Sequence, residues 1–291
     1  MNSTIHTGKG TFLGNGVTVF PIWTSAPEMT NVCFKTKHLT VTEVDGEPDV
    51  NHLSITNNGH RDHIVVEGDI FEGGWQNRVA AATILIPRGQ TVRVPVACVE
   101  QGRWNGTRSH GVQVRRAPYR TRARLNASLQ MNLLDGIVDA SAAQGDVWED
   151  IQRFEASSGF VPGHSLSLAM DHLEGPSDND IAIDLVAGQR GVMIGIGGYI
   201  VAAEIFGSHE ALKQRFNAII SAARFEGMHS QNRSTPNYMA RDFATVLERS
   251  QIERGREMPE HVTTPVGPLA ISSFAVAAGL VHAAVFNNQH A

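Results

Sequence analysis

The densest polar stretch of the chain is Glu67-Gly-Asp-Ile-Phe-Glu72, followed at once by Gly73-Gly74-Trp75-Gln76-Asn77-Arg78. Glu67 and Asp69 stand two residues apart, so on an extended strand they project from one face. Glu72 follows a turn, and glycines at 68, 73 and 74 let the backbone bend tightly or approach a ligand. Acids in this pattern suit sugar hydroxyls or a divalent cation, and one of them can act as general base on a cation-held water. Gln76, Asn77 and Arg78 supply donors that fix the orientation of a polar ligand. The plainer alternative is a glycine-rich turn whose side chains cap backbone groups.

A second group, Cys98-Val-Glu100-Gln101-Gly-Arg103-Trp104, ends a well-patterned strand, where binding residues are commonly carried. Glu100 joins Glu67, Asp69 and Glu72 as a candidate catalytic acid. Gln101 and Arg103 join the candidate ligand-binding residues, and Trp104 offers a stacking face. Cys98 alternates with Val94 and Val96, which marks it as a buried small hydrophobe rather than a nucleophile. In a third group, Gln144-Gly-Asp146-Val-Trp148-Glu149, helix N-capping by Asp146 is sufficient explanation. His60-Arg-Asp62-His63 has the residue types to bind a metal but, in a hairpin turn, reads rather as solvated, and His164, Asp171 and His172 read as loop residues.

Charge is unevenly spread. Seven arginines and no acid lie between Arg103 and Arg124, in a chain of 291 residues whose net charge is -5. Guanidinium forks suit bidentate contacts with phosphate or carboxylate, so Arg78, Arg103 and Arg108 are candidates to hold phosphate oxygens. Surface salt bridges with the surplus acids are the alternative. An acidic remainder without interleaved aromatics argues against extended nucleic acid. Two cysteines, Cys33 and Cys98, exclude a disulfide framework and a four-cysteine zinc site. The longest apolar run, Gly191 to Ala203, is too short for a bilayer, and the start MNSTIHTGKG carries no secretory signal. These features point to a cytoplasmic protein without a membrane partner. GxSxG, P-loop and HExxH motifs are lacking, and Gly195-Ile-Gly197-Gly198 falls short of a dinucleotide fingerprint.

The elements that must position these residues follow from periodicity. Strands are expected at Val17–Trp23, Leu39–Val44, Asn51–Thr56, Ile64–Val66, Ala80–Ile86 and Thr91–Val99, with turns at Asp45-Gly46 and Asn57-Asn58-Gly59. Helices are expected at Arg120–Ala140 and Asp146–Ser157, with a loop over Pro162–Asp180. A Gly-Gly hairpin over Gly191–Phe206 precedes a helix capped by Ser208. A further helix, opened by Thr235-Pro236, runs to about Arg254, and Leu269–Phe274 with Gly279–Phe286 closes the chain as a strand pair. The fold class is α+β: an N-terminal β-sandwich or open barrel, a helical segment and a C-terminal α/β sheet layer. Residues 1–117 form the expected β-rich domain, with an α+β domain over 118–291 packed against it.

The blocks VVEGDIFEGGWQNRV, CVEQGRW, QGDVW and IGGYIVAAEIFGS resemble the ARPP-type domain family. That family is named for its association with ADP-ribosylglycohydrolases and rhodanese-phosphatase superfamily proteins. The resemblance runs from about Val17 to Phe225, with a weaker echo at Gly279–Phe286, and implies a role around NAD-derived or ADP-ribose metabolites. The expected function is binding of a phosphorylated nucleotide-sugar ligand, with metal-assisted hydrolysis if one of the acids serves as base. Mg²⁺ or Mn²⁺ would be the fitting cofactor for oxygen-rich ligands. The competing class is a non-catalytic structural or protein-interaction module. It expects Glu67, Arg78, Glu100 and Arg103 to be scattered or mutually paired. The reaction, the cofactor and the oligomeric state stay open at this level.

Overall fold

The computed structural model describes residues 4–46, 49–111, 115–134, 144–158, 163–173, 183–250 and 260–290. Its chain order begins with β1 (Ile5–Thr7), β2 (Thr11–Gly14) and β3 (Val17–Thr24). Nine strands follow: β4 (Val32–Cys33), β5 (Leu39–Glu43), β6 (His52–Asn57), β7 (Asp62–Val65), β8 (Ile70–Phe71), β9 (Arg78–Ala80), β10 (Ile84–Ile86), β11 (Thr91–Cys98) and β12 (Ser109–His110). Three helices come next, α1 (Tyr119–Leu134), α2 (Gln144–Ser158) and α3 (Leu166–Leu173). The hairpin β13 (Gly191–Ile196) and β14 (Tyr199–Phe206) leads to α4 (His209–Gly227) and α5 (Asn237–Ser250). Three strands close the chain: β15 (Glu260–Val266), β16 (Leu269–Val276) and β17 (Gly279–Asn287). The class is mixed α and β, with strands dominating the first part and a strand layer at the C-terminus, as expected.

Two compact units divide the chain, Met1–Thr30 with Pro176–Ala291, and Asn31–Gly175. The expected boundary at 117/118 does not coincide with this division. Strand pairing is the reason: Val17–Ile22 of β3 pair with β13, far away in sequence, and so carry the first residues into the C-terminal unit.

In the first unit an antiparallel sheet runs β1-β3-β13-β14-β17-β16-β15, with β2 also on β3. The β13–β14 turn places Gly197 and Gly198 at φ of 60° and 97°, a pair of left-handed residues that a two-residue hairpin requires and glycine adopts without strain. Alternation sends Phe20, Ile22, Met193, Ala203, Ile205, Ile271 and Val285 to one face, where Ala240, Phe243, Ala244 and Leu247 of α5 cover them. Ser208 caps α4 as expected, its hydroxyl accepting from Ala211 N at 3.2 Å. The far end of the predicted Thr235–Arg254 helix, residues 251–254, lies outside the described residues, as do residues 135–140 of the earlier one. β15 was not expected from the sequence.

In the second unit a six-stranded sheet, β12-β5-β6-β11-β9-β8, and a three-stranded sheet, β10-β7-β4, share one apolar core. Val41, Leu53, Ile55, Val94 and Val96 from the larger sheet meet Val65 and Ile86 from the smaller. β11 holds the unit together, pairing through Thr91–Pro95 with β6 and through Val96–Cys98 with β9. Two expectations change here. The stretch 162–180 contains α3, whose buried Leu166, Ala169 and Met170 have helical spacing, so Asp171 and His172 are helical. His63 is buried in β7 rather than solvated, its ring 5.8 Å from that of His38, and burial pushes its imidazole pKa down.

Candidate functional site

The two polar stretches singled out in the sequence meet at one end of β9. Register places Cys98 opposite Arg78, and Val99 N donates to Asn77 O at 3.0 Å. Asn77 N in turn donates to Glu100 Oε2 at 3.0 Å, and the rings of Trp75 and Trp104 lie 5.4 Å apart. Arg103 is the clamp. Its Nε and Nη2 grip Glu100 at 2.9 and 2.6 Å, while Nη1 donates to Gly74 O at 2.8 Å and Nη2 to Gly73 O at 3.1 Å and Asn77 Oδ1 at 3.2 Å. A bidentate guanidinium–carboxylate pair that also holds two carbonyls locks the Gly73-Gly74 turn onto the strand exit.

Beneath this clamp lies Arg78, fully buried. Nη1 donates to Gln76 Oε1 at 3.0 Å, and the guanidinium sits 5.4 Å from the ring centre of Trp104, itself 41 % exposed. Nε and Nη2 have no hydrogen-bond partner, and no carboxylate pairs with Arg78 among the described residues. Gln76 Oε1 also accepts from the Cys98 thiol at 3.2 Å. Burial raises the thiol pKa against the pull of Arg78, so Cys98 is a neutral, inert thiol, in keeping with its place in the strand pattern. Gln144, the first residue of α2, completes the floor: its amide exchanges two 2.8 Å hydrogen bonds with the backbone of Cys98. Asp146 therefore lies inside the first turn of α2 rather than at its cap, 3.7 Å from Arg124.

The remaining expected residues go elsewhere. Glu67 and Asp69 lie at the opposite end of β9, where Gly68 N and Ala80 O pair. Glu67 accepts from Arg122 Nε at 3.0 Å and Nη2 at 2.8 Å, and Asp69 accepts from Arg116 at 2.8 Å, all four side chains being buried. Glu72 meets Arg115 at 3.1 Å. Arg108 reaches back to Asp45 at 2.7 Å on an exposed turn, and Gln101 is held through its backbone N–H by His164 O. The arginine island is therefore largely spent on acids within its own unit. The four acids expected to do chemistry each carry an arginine, and among the described residues no three His, Cys, Asp or Glu side chains are grouped to hold a metal ion.

One pair escaped the sequence reading. Glu43 ends β5 and His110 ends β12, and their buried side chains meet at 3.0 Å between Oε1 and Nε2. Glu43 Oε1 also accepts from Trp75 N at 2.9 Å. Burial lowers the His110 pKa, with Arg78 adding to that and Glu43 opposing it. The signal available beforehand was Gly74. At φ 54° its added Cβ would stand 2.0 Å from His110 Nε2, so the turn needs a glycine to admit the imidazole.

A protein-family model described as the ARG and Rhodanese-Phosphatase-superfamily-associated Protein domain, ARPP-1, matches residues 4–286. The chain belongs to the ARPP-1 family. No curated protein and no solved structure matches it. Both polar clusters of this ARPP-1 chain, the whole of the Asn31–Gly175 unit and most of the other unit fall within the matched span. No described helix is long and apolar enough to cross a membrane.

Proposed function

We propose that this ARPP-1 chain binds a phosphorylated small molecule of the nucleotide-sugar type, related to ADP-ribose, at Arg78 beneath Trp104. The observation that carries the reading is a buried guanidinium with two unpartnered donor nitrogens and no paired carboxylate among the described residues. Removing such a charge from water costs several kcal/mol unless a counter-charge meets it, on the order of what a buried ion pair recovers. Phosphate oxygens fit the fork of donors, the Trp75–Trp104 pair offers faces to a base, and Gln76 and Asn77 sit alongside for orientation. The family description adds an association with ARG and the rhodanese-phosphatase superfamily, which makes ADP-ribose a reasonable first probe. The protein is read as a cytoplasmic binder of one small anion rather than of nucleic acid or membrane, and its two cysteines are free.

Titration of ADP-ribose by calorimetry, followed in parallel by tryptophan fluorescence, tests this. Binding is expected in the wild type and at least tenfold weaker in Arg78→Met. No heat at millimolar ligand would end the reading. Hydrolysis is tested separately, by incubating the same ligand with Mg²⁺ or Mn²⁺ and assaying for phosphate or ribose products. A second reading, a protein-interaction module, is favoured by the internal pairing of Arg103, Arg108, Arg115, Arg116, Arg122 and Arg124 with acids. It is the one left standing if no small anion binds.

A further inference from the structure

The Arg78 corner has a second wall of opposite character. Glu43 is 1 % exposed, and while its Oε1 accepts from His110 and Trp75, Oε2 has no hydrogen-bond partner. Arg78 and Glu43 are not joined to each other among the described residues, yet both charges act on the same two neighbours, the His110 imidazole and the Cys98 thiol. The corner thus holds two donors without an acceptor on one side and an acceptor without a donor on the other. A bare anion satisfies only the first. A water can accept from Arg78 and donate to Glu43 Oε2, but it brings no counter-charge, and an apolar group satisfies neither.

We infer that Glu43 is a ligand-binding residue of the Arg78 site, and that the ligand presents a hydroxyl to Glu43 Oε2 next to the oxyanion held by Arg78, as a sugar phosphate does. This rests on the Arg78 reading and narrows its ligand class to hydroxylated phosphates. His110 and Trp75 act through Glu43 as positioning residues. They hold Oε1 from two directions and thereby fix where Oε2 points. Gly74 maintains the arrangement, because any Cβ there would stand 2.7 Å from Glu43 Oε1 as well as against His110. Trp104, 41 % exposed, has its ring centre 5.4 Å from the guanidinium and is the exposed side chain next to it in this corner.

The test compares two probes on the intact protein by tryptophan fluorescence and calorimetry: ribose 5-phosphate, and propyl phosphate, which carries no hydroxyl outside the phosphate. Wild type is expected to prefer ribose 5-phosphate by about tenfold or more, because a hydrogen bond to a buried charged group exceeds one to water. Glu43→Gln should cut that preference to about twofold or less. Arg78→Met should weaken both probes together. Equal binding of the two phosphates by wild type overturns the inference and leaves the Arg78 reading intact, and it does so without any variant having to fold. A Glu43→Gln protein with native circular dichroism and an unchanged preference overturns it as well. No binding of either phosphate, or of ADP-ribose, removes the anion site altogether.

Discussion

The two ends of β9 treat buried arginines in opposite ways. At the Ala80 end, Arg122 and Arg116 are sunk into the unit and each is met by a carboxylate, Glu67 and Asp69. At the other end Arg78 is sunk as deeply and is met by an amide oxygen, a thiol-bearing neighbour and an indole face. The same side chain finds its counter-charge where α1 and the residues before it bring arginines to acids, and on β9 it meets none among the described residues. Composition cannot make that distinction, since both ends combine acids, glycines and guanidinium groups in short stretches of sequence.

The sharpest way to break the comparison is to remove one partner at the structural end. Arg122→Met leaves Glu67 charged and buried, and should cost about 3–5 kcal/mol in urea denaturation. A loss below about 1 kcal/mol would mean that the pair is not a structural element. Gly74→Ala comes next. It drives a Cβ into His110 and Glu43 from a left-handed backbone position, with an expected loss of about 2–3 kcal/mol and a matching fall in melting temperature. Unchanged melting would show that the turn relaxes and that the Glu43–His110 pair is not tightly held.

At the Arg78 end the expected stability effect is smaller. Arg78→Met gives up one hydrogen bond but also relieves an uncompensated buried charge, so its stability should stay within about 1 kcal/mol of wild type while anion binding is lost. Destabilisation as large as that of Arg122→Met would erase the difference between the ends. The smallest effect is a pH dependence. Burial holds the His110 pKa below the ordinary imidazole value of about 6.5. Above that pH both states are neutral at His110. As pH falls below it, the unfolded chain takes up a proton that the folded one resists, so stability declines until the folded pKa is reached. His63 acts in the same direction, so the slope of stability between pH 7.5 and 5 should be shallower in His110→Gln than in wild type, not absent.

Much of the local structure was readable because it is a local property. Leu39-Thr-Val-Thr-Glu43 and Thr91 to Cys98 alternate, Gly197-Gly198 allows only a tight turn, and Ser208 precedes a run of helix formers. That Glu100–Trp104 leaves a well-patterned strand was legible too, but its meeting with Gln76–Arg78 comes from the three-residue β9, which pairs with β11 and was not separately expected. The partners of the arginine island were not. Arg122 and Glu67 are 55 positions apart and Arg116 and Asp69 are 47 apart, and nothing local tells one acid from another. α3 was hidden by the Gly, Ser and Pro residues around it, although Leu166, Ala169 and Met170 carry the helical spacing.

By itself, the order of residues determined which segments extend, which coil and where they turn, because those choices depend on neighbours a few positions away. It also determined that a strand exit rich in Arg, Trp and amides would exist. Only the tertiary structure decided which guanidinium groups meet a carboxylate and that Arg78, among the described residues, does not. That depends on which strands and helices meet, and with them on which acids come within reach: Glu67 and Asp69 go to α1 and its approach, Glu43 to His110, and none of the described acids to Arg78.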